Sequence, residues 1–200
     1  MVDPSRVTDF ARTQAQLEEF LLFCFVVAGK NADQQSVKLE AFLEGRSPFA
    51  WIRKLEKTDS LVTELRRVKM GKYSLLSQGF HQVAHANLDL RTCTWETLTT
   101  FPGIGIKTAK FFILHSRESQ MLAVLDTHVL YWMKECLGHK TPRGLAVPDH
   151  TPQDPSLYQF WETVYFGLVL SRLKPTQASG ENPINWAHVD LDLWKTRRAL

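Results

Sequence analysis

The sequence predicts an all-α protein. Three observations carry that expectation. Apolar residues recur at helical spacing in one segment after another, and cap residues and glycines bracket those segments. There is also no clean alternating run and no Asn-Gly turn that would make a strand hairpin.

The elements follow in order. Residues 13–27 begin amphipathic and turn almost wholly apolar, which predicts a buried central helix ending near Gly29. Asp33 is placed to cap the next helix, with Val37, Phe42 and Leu43 on its inner face and Gly45 as its stop. Ser47-Pro48 opens a third, proline at its first position and Trp51, Ile52 and Leu55 facing inward. Asp59 or Ser60 starts a short fourth through Leu61, Leu65 and Val68, and residues 72–86 make a fifth. Thr94 caps a short sixth, with Glu96 at the positive end of its dipole. Residues 106–115 and 127–137 follow, the latter ended by Gly138. Residues 139–154 hold three prolines and read as a surface loop. An aromatic helix over 156–173, a polar linker over 175–183 and a last helix over 190–198 complete the chain.

Composition sets weaker limits. With 44% hydrophobic and 22% charged residues the chain is an ordinary globular sequence, and its 200 residues suffice for one domain or two small lobes. A net charge of +3 permits a polyanionic partner without requiring one. Cys24, Cys93 and Cys136 are scattered and form no Cys-x-x-Cys pair, so no cysteine-built metal or cluster site is expected. Free cysteines, a polar N-terminus and no membrane-length apolar run predict a soluble, intracellular, monomeric protein. That places it in cytoplasm, associated with a nucleoid, or in a eukaryotic nucleus.

The informative stretch is Phe101-Pro102-Gly103-Ile104-Gly105-Ile106-Lys107-Thr108-Ala109-Lys110. A short helix ends, the backbone turns through Pro-Gly-Ile-Gly, and a new helix begins. Gly103 and Gly105 permit positive φ and let another backbone approach, while Ile104 can plug the gap between the helices. The turn amides and the following helix N-terminus make an anion site suited to a DNA phosphate, with Thr108 in the motif and Lys110 adding charge one turn on. This pattern matches the helix-hairpin-helix motif. Followed by Val124-Leu125-Asp126-Thr127-His128-Val129, it closely resembles the endonuclease III branch of the DNA glycosylase superfamily. The close match spans about residues 94–134.

The resemblance implies that Lys107 and Asp126 are the catalytic pair of a base-excision repair enzyme acting on double-stranded DNA. Breaking the bond at the sugar C1′ builds positive charge that a carboxylate stabilises. A lysine amine can attack C1′, form a Schiff base and release the 3′ phosphate by β-elimination. Partial burial beside a helix N-terminus, where the hairpin puts Lys107, favours the neutral amine. Monofunctional relatives lack the lysine, so keeping both residues implies a glycosylase that is also an abasic-site lyase. His128 reads as a DNA contact, a brace for Asp126 or a structural histidine. A target base must be flipped out of the duplex and the gap filled. The positions that fill it in relatives are here Lys30-Asn31 and Gly71-Lys72-Tyr73, with Lys72 where a wedge leucine is usual.

By the same resemblance, the fold should be two helical lobes. Residues 22–122 would form a barrel containing the hairpin, and residues 1–21 with 123–200 the other lobe, with the active site in the cleft between them. No cysteine follows Cys136, so the iron–sulfur loop of endonuclease III is absent and no cofactor is expected. Cluster-free relatives excise 8-oxoguanine, which points toward an oxidised or otherwise modified purine. Oxidised pyrimidines and a deliberately modified base stay open. So do a monofunctional enzyme, in which Lys107 only binds DNA, and a non-catalytic binding module. His81 and His85 stand i, i+4 but lack an H-E-x-x-H pattern and any third ligand evident from the sequence, so no metal site is expected. The basic residues of 195–198 read as a solvated tail.

Overall fold

The computed structural model describes residues 1–138, 145–172 and 184–198, and every regular element among them is helical. The linker expected over 175–183 lies outside the described residues. The helices are α1 Gln14–Val27, α2 Ala32–Leu43, α3 Pro48–Lys57, α4 Leu61–Arg67, α5 Tyr73–His85, α6 Trp95–Thr99, α7 Ile106–Ser116, α8 Thr127–Leu137, α9 Pro155–Leu170 and α10 Trp186–Arg198. No described helix is long and apolar enough to cross a membrane. The contacts divide the chain into two compact units, Met1–Arg117 and Glu118–Leu200.

In the first unit α1 is the central helix. Thr13 caps it reciprocally with Gln16, and residues 20–26 are all buried. It packs against α2, α3, α5 and α7. Phe20 stacks on Phe112 at 5.7 Å, and Phe25 meets Phe80 edge-on at the same separation. Rings in these geometries add directional attraction to the area they bury. Residues 1–21 belong to this unit by their contacts, and Arg12 helps tie them in. Its Nη1 donates to the carbonyls of Asp9 at 2.7 Å and His115 at 2.8 Å, and its guanidinium lies 4.0 Å from the Phe20 ring centre. Burial pulls the Arg12 pKa below the usual arginine value, against the opposing charge of Asp9.

Local details depart from expectation where a neighbour competes. Asn31, not Asp33, caps α2, its Oδ1 accepting from the Gln34 amide at 3.0 Å. Val37 is 62% exposed instead of inward. Trp51 is half-buried, since its Nε1 donates to the Phe42 carbonyl and Arg46 covers its ring. The aromatic helix begins at Pro155 under an Asp154 cap. The last helix begins at Trp186, a turn before expectation, where the Asn185 side chain accepts from the His188 amide.

In the second unit α8 packs on α9 and α10. Tyr158, Trp161 and Tyr165 are each 1% exposed and form the core of the aromatic helix. Phe166 and Tyr165 in turn contact Trp186 of α10.

Candidate functional site

The α6–α7 corner is shaped by a position far away in sequence. Gly79 lies in the middle of α5, where alanine would ordinarily be the better helix former. A Cβ there would stand 2.4 Å from the Pro102 carbonyl oxygen and 2.6 Å from Phe25 Cε1, so only glycine lets the corner seat on α5. Gly103 has φ +94°, a conformation that glycine adopts without strain, and it faces Leu75 and Phe25. Ile104 is buried and plugs the corner, its amide donating to the Phe101 carbonyl at 3.1 Å. We expect Gly79→Ala to destabilise the protein by about 2–3 kcal/mol, as overpacking against backbone does. Chemical denaturation measures it, and a neutral or stabilising result would contradict the tight seating.

Gly105 is the N-cap of α7 and offers no side-chain cap, so the first-turn amides of α7 keep their donor capacity for an external acceptor. Lys107 stands in that first turn, half-buried. Its charge is felt by Cys24 of α1, whose thiol burial pushes strongly upward in pKa and whose thiolate Lys107 favours. Thr108 is 6% exposed and belongs to the packing. Lys110, expected as a phosphate-facing charge, is buried. It is 4% exposed, with its Nζ 5.1 Å from the centre of the Trp95 ring, because the α6–α7 packing folds its stem inward. A phosphate contact would require it to leave that packing.

The other four first-unit positions lie between α1 and α2 and at the start of α5. Leu75, which Gly103 faces, follows Lys72-Tyr73, and Phe25 precedes Lys30-Asn31. Lys30 donates to the Met70 carbonyl at 2.5 Å, and Lys72 donates back to the Ala28 carbonyl at 2.8 Å, so each loop is pinned by the other's lysine. Burial, then the charges of Lys72 and Lys38, lowers the Lys30 pKa. Lys72 itself takes φ 50° at the N-cap of α5, and Arg66 stacks on Tyr73 at 4.9 Å. The Asn31 side chain is engaged as the α2 cap.

The remaining positions lie in the second unit. Asp126 is the N-cap of α8, its Oδ1 accepting from the Val129 amide at 2.8 Å, and it is half-buried. The residues before it are held by a buried polar frame that sequence reading missed. Tyr158 Oη donates to the Ala123 carbonyl at 2.8 Å and accepts from the Leu125 amide at 3.0 Å. Glu162 accepts from the Ala123 amide at 2.8 Å, and Thr151 donates to the Leu125 carbonyl at 2.7 Å. Desolvation drives the Tyr158 pKa well above the usual phenol value, so the hydroxyl stays protonated and able to donate. The only sequence signal was the helical spacing of Tyr158 and Glu162 on one stripe. His128 is half-buried in the first turn of α8. We expect Tyr158→Phe to cost about 2–4 kcal/mol, because it strands a buried carbonyl and a buried amide. Thermal and urea unfolding read that loss, and a near-neutral variant would show that the frame does not hold the Asp126 segment.

None of these residues belongs to the His and Glu grouping with metal-ligand chemistry among the described residues, which is Glu56, His81 and His85. Comparison of the chain with protein-family models, curated proteins and solved structures finds no match.

Proposed function

We propose that the protein is a helix-hairpin-helix DNA glycosylase with abasic-site lyase activity, acting on a modified base in duplex DNA. The observation that carries the reading is the α6–α7 corner: an uncapped helix N-terminus behind a Pro-Gly-Ile-Gly turn, with Lys107 on its first turn. Such a terminus binds a phosphate through backbone amides and dipole together. The paired lysines of the Lys30 and Lys72 loops add positive charge on the same unit.

The chemistry divides between two residues. Asp126 stabilises the positive charge that develops on the deoxyribose as the glycosidic bond breaks and the base leaves with its electron pair. The neutral amine of Lys107 bonds to C1′ in place of the departing base and gives up a proton, and cleavage of the C1′–O4′ bond, with O4′ taking up a proton, leaves a protonated imine. That imine acidifies the C2′ proton. Its removal expels the 3′ phosphate, and hydrolysis of the imine returns the free lysine. The substrate class favoured is an oxidised purine such as 8-oxoguanine, since the chain carries no cysteine ligands for a cluster after Cys136.

The test is a panel of duplex oligonucleotides, each with one modified base, scored separately for base release and strand cleavage. Release with cleavage from at least one duplex is the expected result. Release without cleavage would reduce the protein to a monofunctional glycosylase. Salt-sensitive DNA binding with no release from any duplex would make it a binding module instead.

A further inference from the structure

We propose a divalent transition-metal site on the first unit, formed by Glu56 of α3 with His81 and His85 of α5. The two histidines lie one turn apart on α5, which places both rings on the same helix face. Their ring centres are 4.9 Å apart. Glu56 comes from the facing helix and divides its carboxylate between them. Oε1 lies 2.9 Å from His81 Nδ1, and Oε2 lies 2.6 Å from His85 Nε2. The three ligand atoms all fall within 4.8 Å of one another. Two nitrogens bound tetrahedrally at the usual zinc distance are separated by about 3.3 Å, so a modest rotation of exposed side chains closes the set.

The surroundings suit an ion. The histidine side chains are 59% and 48% exposed and Glu56 is 19% exposed, which leaves an entry path and a fourth position for water. The helices that carry the ligands are also locked together beside the site, where Arg53 of α3 donates to the Ala84 carbonyl of α5. Ligand placement therefore rests on packed helices and not on a loop, which is the arrangement that holds coordination geometry best. Two imidazoles and one carboxylate are the donor set of zinc, and nickel, cobalt and copper accept the same atoms. Occupancy would join α3 to α5 through the metal and stabilise the first unit. The site is independent of the DNA chemistry, since none of its ligands takes part in it.

Equilibrium dialysis of the full chain against Zn²⁺ tests the proposal, with Co²⁺ absorption in the visible as a report of coordination. The variants are Glu56→Gln and the double variant His81→Ala/His85→Ala, their folding checked by circular dichroism. The wild type should bind one equivalent at about 10 μM or tighter, Glu56→Gln about tenfold or more weakly, and the double variant not at this site. Saturating Zn²⁺ should raise the melting temperature of the wild type by about 5 °C, reversibly with a chelator, and leave that of the double variant unchanged. Undiminished binding by the double variant would place the metal elsewhere and overturn the proposal. Absence of stoichiometric binding by the wild type would overturn it equally.

Discussion

Lys107→Gln is expected to remove the covalent complex that the proposed lyase would leave for borohydride to trap on duplex DNA carrying an excisable base, and to lower strand cleavage by about 10³-fold or more. Glutamine keeps most of the side-chain length and its packing beside α1, but has no amine to bond to C1′. The half-buried position in the first turn of α7 makes this substitution mild for the fold. DNA affinity should fall by less than about tenfold, with the salt dependence weakened by about one phosphate contact. Gel analysis after borohydride reduction, run beside a filter-binding titration, measures both quantities. A trapped adduct that survives the substitution would move the nucleophile to another residue.

Asp126→Asn is expected to lower single-turnover base release by about 10²–10³-fold while leaving stability within about 0.5 kcal/mol of the wild type. The two readouts should separate because the proposed function gives Asp126 a second role beside its cap. As the N-cap of α8 it accepts from the Val129 amide, and asparagine caps as well as aspartate does. In the proposed chemistry it would supply charge to a developing cation, which asparagine lacks. Asp126→Ala removes both and should cost a further ~1 kcal/mol in unfolding free energy. Equal loss of base release and of stability in Asp126→Asn would assign the residue to the fold alone. Undiminished release would remove it from the chemistry.

The local placement of both residues was legible in the sequence because their settings are short-range; their assignment as a pair rests on the resemblance. A Pro-Gly-Ile-Gly turn followed by a helix places Lys107 on a first turn whatever surrounds it, and an aspartate before Thr127 is a cap by the same short-range rules. Most helix ends follow for that reason, including the Thr13, Ser47, Thr94 and Asp126 starts. The local rules failed where two candidates compete or a side chain has two homes. Asn31 displaced Asp33 as a cap, and Val37 fell outside the inner face. Lys110 illustrates the larger failure. Spacing alone puts it one turn past the glycine turn, but the approach of Trp95 and the α6–α7 packing bury it.

The corner at Pro102-Gly103-Ile104-Gly105 shows where sequence ends and tertiary structure begins. Its turn, its uncapped helix and the lysine that follows were determined by the chain itself, through backbone preferences that reach only a few residues. What only the packed structure decided is the support: Gly79 yielding room to the Pro102 carbonyl, Tyr158 and Glu162 holding the segment ahead of Asp126, and Glu56 meeting His81 and His85. Each of these is a contact between residues more than twenty positions apart. Such contacts depend on how whole helices pack, and helical periodicity states which face is buried but not what it is buried against.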